Sequence, residues 1–184
     1  MKKILLALLL LTSCFLSVGQ EYSLSTNAID YVNLGTLNMD ASHALARHWS
    51  LTAGVKYNPF TWKAENESGI MRNRQLVCSA GVRYWPWHVY SGWWLAAKGQ
   101  YQMYNIGGIS APETQEGDRY GAGISLGYSY MILKHLNIEA GLGTWSGWDR
   151  YILYSCPRCG RILDQGGKTF ILLNDVILSL TYVF

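Results

Sequence analysis

Apolar and polar residues alternate with a period of two along most of this chain. In the stretch from Trp49 to Asn58, Trp49, Leu51, Ala53, Val55 and Tyr57 share one face. Ser50, Thr52, Gly54, Lys56 and Asn58 share the other. The same pattern sets Leu76, Cys78, Ala80, Val82 and Tyr84 against Ser79, Gly81 and Arg83, and Leu136, Ile138, Ala140 and Leu142 against Asn137, Glu139 and Gly143. Such alternation belongs to strands with two unlike faces. It predicts eight strands, at roughly 22–32, 34–46, 49–60, 74–87, 92–106, 119–133, 136–152 and 170–184, the first with ambiguous faces.

The connections alternate in length. Those at Ala46 to His48, Pro86 to Ser91 and Lys134 to His135 are short, whereas 61–73, 107–118 and 153–169 are long. If the strands run up and down, the three long connections fall at one end, as in outer-membrane barrels. Periodicity alone does not say which face points inward, because a soluble lipocalin-like barrel would bury the apolar face. Three features favour a membrane barrel. The Trp residues sit near strand ends, so that Trp49, Trp85, Trp93, Trp145 and Trp148, with Phe184, read as interface aromatics. Most strands exceed the roughly 9–11 residues that cross a bilayer at a tilt. The chain closes on Tyr182 and Phe184, which resembles an assembly signal of outer-membrane barrels.

On this reading the polar face lines the lumen. It carries Asp40, Lys56, Arg83, Lys98, Glu139 and Asp175, three charges of each sign. Eight strands leave room only for side chains, so a paired charge network that fills the barrel is expected.

Composition supports the β reading. Charged residues make up 15% of the chain, against about 25% in an ordinary soluble domain. A net charge of +3, with no dense Lys/Arg stripe, excludes a nucleic-acid partner. Residues 1–19 read as a signal peptide. Lys2 and Lys3 precede an apolar run, and Ser17, Val18 and Gly19 offer a cleavage site before Gln20. The competing reading attaches lipid at Cys14. Residues 20–184 then form one barrel domain. No later apolar run reaches the roughly 20 residues of a membrane helix.

Motifs that could carry chemistry are few. Gly123, Ser125 and Gly127 match G-x-S-x-G, but inside an alternating strand instead of a strand-turn-helix elbow. His48, His88 and His135 fall on the short turns and His43 close to them, away from the long loops where a lipid-modifying site would stand. Cys156 and Cys159 lie in one Gly-rich loop. A loop disulfide is the simplest reading in an oxidising exterior, with a metal or redox role as alternatives. No metal site, catalytic residue or cofactor is expected.

Several motifs recur in order: Arg47-His48-Trp49-Ser50-Leu51, Tyr57-Asn58-Pro59-Phe60, Tyr104-Asn105-Ile106-Gly107-Gly108, Leu136-Asn137-Ile138-Glu139-Ala140, Cys156-Pro157-Arg158-Cys159-Gly160 and Tyr182-Val183-Phe184. Together they resemble domain of unknown function 3575, a family of small exported Bacteroidota proteins. The resemblance implies an outer-membrane β-barrel of OmpA-type architecture and no established activity. Some members are encoded beside fimbrial or OmpA-like proteins, which implies surface-assembly partners. The expectation is a non-enzymatic, eight-stranded antiparallel up-and-down transmembrane barrel in the cell outer membrane, in contact with outer-membrane lipid. It would serve as anchor or accessory of a surface assembly through its long loops. The alternatives are a lipid-modifying enzyme, a narrow pore and a soluble lipocalin-like binder.

Overall fold

The computed structural model describes residues 21–63, 70–109, 112–156 and 160–184. Their elements are β1 (Tyr22–Asn27), α1 (Ala28–Val32), β2 (Leu37–Ala46), β3 (Trp49–Asn58), β4 (Thr61–Lys63), β5 (Ile70–Tyr84), β6 (Gly92–Gly107), β7 (Thr114–Leu133), β8 (Leu136–Tyr154) and β9 (Ile162–Val183). All ladders are antiparallel. β1 pairs with both β2 and β9, and β3 pairs with β5, so eight strands close on themselves while short β4 extends the ladder on β5. The fold is an all-β, eight-stranded antiparallel barrel.

Register gives the barrel its tilt. Stepping across the ladders from Asn38 leads through Lys56, Val77, Gln102, Arg119 and Asp149 to Lys168 on β9. Yet Asn27, whose N–H reaches the Asn38 side chain, pairs with Ser179. The offset between Lys168 and Ser179 is the stagger that a closed, tilted barrel requires.

Two expectations about the elements are corrected. The strand expected over 22–32 ends at Asn27, where a short helix begins. Asn27 caps that helix by accepting from the Ile29 N–H. The same amide donates to the Val176 carbonyl and accepts from the Leu178 N–H, each at 2.9 Å, standing in for the ladder where β1 stops. The ambiguous faces of 28–32 are the sequence trace of this helix. The long connections at 61–73, 107–118 and 153–169 are about half strand, because β5, β7 and β9 start at Ile70, Thr114 and Ile162. Asp164, Gln165, Gly166, Gly167 and Lys168 are polar or small on both faces of β9, so the alternation vanishes although the strand continues.

The apolar parity points outward. Leu51, Trp93, Leu95, Ile124, Leu126, Leu142 and Leu178 are all exposed. The polar parity points inward, where Ser50, Asn58, Ser125, Ser129, Asn137, Glu139, Asp149 and Thr181 are buried. On β9 a bulge opposite Gly143 to Trp145 switches the parity, so Phe170 meets buried Trp145 while Asp175 also faces the lumen.

The short-turn end is closed by apolar packing. The β5–β6 connection folds back inside, placing Trp85, Val89 and Tyr90 against Trp94, Ala96 and Val183. Tyr90 (φ 64°) and Gly92 (φ 76°) take the left-handed conformations that reverse the chain. The Tyr90 carbonyl accepts from Asn137 Nδ2 at 2.7 Å. Two interface assignments are therefore corrected: Trp85 and Trp145 are buried inside the barrel at 0% and 1% exposure. Each shares the inward parity of its strand, with Arg83 and Glu139 respectively, and strand-end position had outweighed parity in assigning them.

Trp94 fits because the wall beside it is bare. A Cβ at Gly127 would collide with the Trp94 ring, and one at Gly141 would approach it to 3.2 Å. Gly127→Val is therefore expected to displace Trp94 and destabilise the barrel by about 1–3 kcal/mol. Urea unfolding of the refolded protein in detergent micelles, followed by Trp fluorescence, measures this, and an unchanged midpoint would contradict the packing described.

Candidate functional site: the charged lumen and its mouth

Parity delivers a column of charges to the barrel interior. At the base, Arg83 on β5 donates to Glu139 on β8 at 2.8 Å, and its guanidinium lies 4.4 Å from the Trp94 ring centroid. Glu139 is 1% exposed. Midway, Asp175 on β9 receives Lys98 at 2.5 Å and Lys56 at 3.8 Å. Lys56 also bonds Asp30 on α1 at 2.9 Å. The structure thus brings together Lys56, Lys98 and Asp175, and separately Arg83 and Glu139. Asp40 faces the same cations but forms no ion pair among the described residues; its carboxylate lies over Gly54, where a Cβ would collide with it.

Higher up stands a cluster that the sequence reading missed. Arg119 Nε lies 3.1 Å from Asp149, which also accepts from the Tyr104 hydroxyl at 2.7 Å. Gln115 donates to that hydroxyl, and the Arg119 guanidinium stacks on the Tyr104 ring at 4.0 Å. Arg119 and Asp149 both sit on the inward parity of β7 and β8, so their signal was present. Asp30 gave none, because it enters the lumen from a helix that was expected as strand.

Above this cluster the barrel mouth holds a cavity of about 1080 Å³, bordered by Asn58, Gln75, Tyr104, Gly117, Tyr151 and Gly166 among others. Strands β5–β9 rise past the ends of β1–β3 here, so the mouth has one tall wall and one low wall.

The interface aromatics Trp49, Trp93, Trp148 and Phe184 are exposed on the outer wall. Two histidines hold strand ends beside the short turns: His48 Nδ1 lies 2.8 Å from the Trp85 carbonyl and His135 Nδ1 lies 2.9 Å from that of Val183, while His43 stacks on Tyr22. Ser125 is buried in the middle of β7, paired across to Gly143. Among the described residues no cluster of three or more His, Cys, Asp or Glu is placed to hold a metal. The disulfide expected between Cys156 and Cys159 and the signal peptide expected over residues 1–19 fall on residues outside the described set, Cys159 among them.

Residues 4–184 match the family model described as protein of unknown function (DUF3575), and the chain belongs to that family. No curated protein matches the chain.

The Arg83–Glu139 pair, with Glu139 buried and Arg83 partly so, is expected to behave as one unit. Glu139→Leu alone strands the enclosed guanidinium and should cost about 2–4 kcal/mol, whereas adding Arg83→Met should recover most of that loss. A double-mutant cycle on unfolding free energies checks this, and additive effects would show that the two side chains are not coupled.

Proposed function

We propose that this protein is a non-enzymatic outer-membrane barrel that anchors or assists a surface assembly, exported with the aid of its basic and apolar N-terminal segment. The observation that carries the reading is the inversion of faces. A lipocalin-like barrel exposes polar residues and buries apolar ones. Here Leu, Ile, Trp and Tyr side chains cover the outer wall while Glu139, Asp149 and Asp175 are buried. A wall of this kind is soluble in hydrocarbon, and the closure of β1 on β9 removes the backbone edge over the height at which the two strands pair.

Dimensions support the same reading. From Ile138 to Trp148, β8 climbs about 25 Å along the barrel axis at an ordinary strand tilt, close to the height of the apolar band of such barrels. Outward-facing Trp148 and Tyr120, paired across β7 and β8, mark its upper margin, and Trp49 and Trp93 its lower.

The interior supports a closed barrel over a pore. Ion pairs fill the middle, and Trp85, Tyr90 and Trp94 fill the base. That leaves the mouth and the tall wall of β5–β9 as the surface that meets partners, here surface or fimbrial assembly proteins.

The protein is expected to partition with outer membranes after carbonate extraction and to migrate differently in gels before and after boiling. Recovery in the soluble periplasm would sink the membrane reading. Shortening the β8–β9 hairpin above Tyr151 and Gly166 should leave the heat-modifiable barrel intact but remove co-purifying surface proteins. Undiminished co-purification would exclude that wall as the contact surface.

A further inference from the structure

On its β8 side, β9 is paired almost throughout, from Ile162 to Tyr182. On its other side the ladder to β1 covers only residues 179–183, and the Asn27 amide serves Val176 and Leu178. Above Val176 no ladder covers that edge among the described residues.

Parity identifies the amides that face it. Outward residues Phe184 and Leu178 direct their N–H groups to the β1 side, to Tyr22 O and Asn27 Oδ1. Inward Val183 directs its own to His135 O on the β8 side. The coupling of an outward side chain to a free-edge amide survives the bulge. Gly167 is outward, since a Cβ there would lie 2.8 Å from Trp148 Nε1. Gln165, Gly167 and Thr169 therefore present their amides to the open edge. The Gln165 N–H is taken by Asp164 Oδ1 at 2.8 Å. Those of Gly167 and Thr169 have no partner among the described residues.

The inward face of the same stretch is chemically marked. Tyr151 donates to Asp164 at 2.8 Å, and Lys168 lies 4.6 Å from the Tyr151 ring centroid. Between them, a Cβ on Gly166 would meet nothing nearer than the Tyr151 hydroxyl at 3.9 Å, leaving open space beside the mouth cavity. A negative charge, a gap and a positive charge thus alternate with outward Gln165 and Gly167 along one unpaired edge.

We propose that residues 163–169 of β9 accept an extended segment of a partner polypeptide as an added antiparallel strand. Main-chain bonds to Gly167 and Thr169 supply affinity, and alternate side chains supply specificity. Charge complementarity sets the segment's sequence: an acidic side chain facing Lys168, a large aromatic over Gly166 and a basic one facing Asp164. A second copy does not fit, because two copies in one membrane run β9 in the same direction and their edges meet parallel. This inference rests on the proposed role of the tall wall as a contact surface and names the partner's chemistry.

The test uses the full barrel in detergent and two synthetic peptides, Thr-Glu-Thr-Tyr-Thr-Lys-Thr and its charge-swapped form Thr-Lys-Thr-Tyr-Thr-Glu-Thr. Fluorescence anisotropy reads affinity, and amide hydrogen exchange reads β9. The matched peptide should bind about tenfold tighter than the swapped one, from two cross-strand charge pairs made or opposed. It should slow exchange at Gly167 and Thr169. Thr169→Pro removes one edge donor without touching the β8 ladder and should abolish binding, while Thr169→Val should retain it. Equal affinities, no binding by either peptide, binding that survives Thr169→Pro, or peptide-free dimers protected at this edge would each overturn the proposal. The readout is independent of cellular location, so its failure is separable from failure of the membrane reading.

Discussion

Closure of the ladder between β1 and β9 is the constraint on which everything else depends. A sheet whose outer face is apolar can enter an apolar medium only if its polar face is enclosed, and enclosure requires the first strand to meet the last. The junction is narrow: residues 23–27 against 179–183, extended by the Asn27 side chain. Once it forms, the inward parity of every strand becomes an interior, and the charges on it must find each other. The lumen ion pairs are thus a consequence of closure as much as a contribution to stability.

Space inside so small a barrel is divided unevenly. β7 and β8 carry Gly at 121, 123, 127, 141, 143 and 147, all on the inward face, and so thin the wall beside the lumen. Beside these glycines stand the long inward side chains of the same two strands, Arg119, Glu139 and Trp145, which share the lumen with Lys56, Arg83, Lys98 and Asp175 from β3, β5, β6 and β9. Arg83 illustrates the economy of this arrangement, with one edge held by Glu139 and one face on the Trp94 ring, which rests in turn on Gly127 and Gly141. A side chain added to the bare wall is felt by the whole stack.

Much of this was legible in sequence because parity is a strict rule. Strand number, antiparallel order, the two ends and the identities of Lys56, Arg83, Lys98, Glu139 and Asp175 as inward residues all follow from alternation. Parity also held the answer for Trp85, Trp145, Arg119 and Asp149, where strand-end position or omission hid it. What sequence could not show has a physical cause in each case. Asp30 comes from a helix of five residues, too short to leave a 3.6-residue period. The upper part of β9 does not separate apolar from polar residues between its faces, so its strand leaves no alternating trace. The bulge on β9 shifts the inward set by one residue, and nothing in the composition there announces it.

The Asn27 amide carries one further consequence. It bonds Leu178 across 151 residues of chain, at the seam where the cylinder is joined. Closing so long a stretch of chain carries a larger entropic cost than closing any hairpin of the barrel. Until the seam closes, the lumen charges remain hydrated and the strands form an open, curved sheet with two raw edges. Loop-closure cost therefore favours an order of assembly in which the hairpins precede the seam, and the lumen charges are enclosed only when the seam is joined.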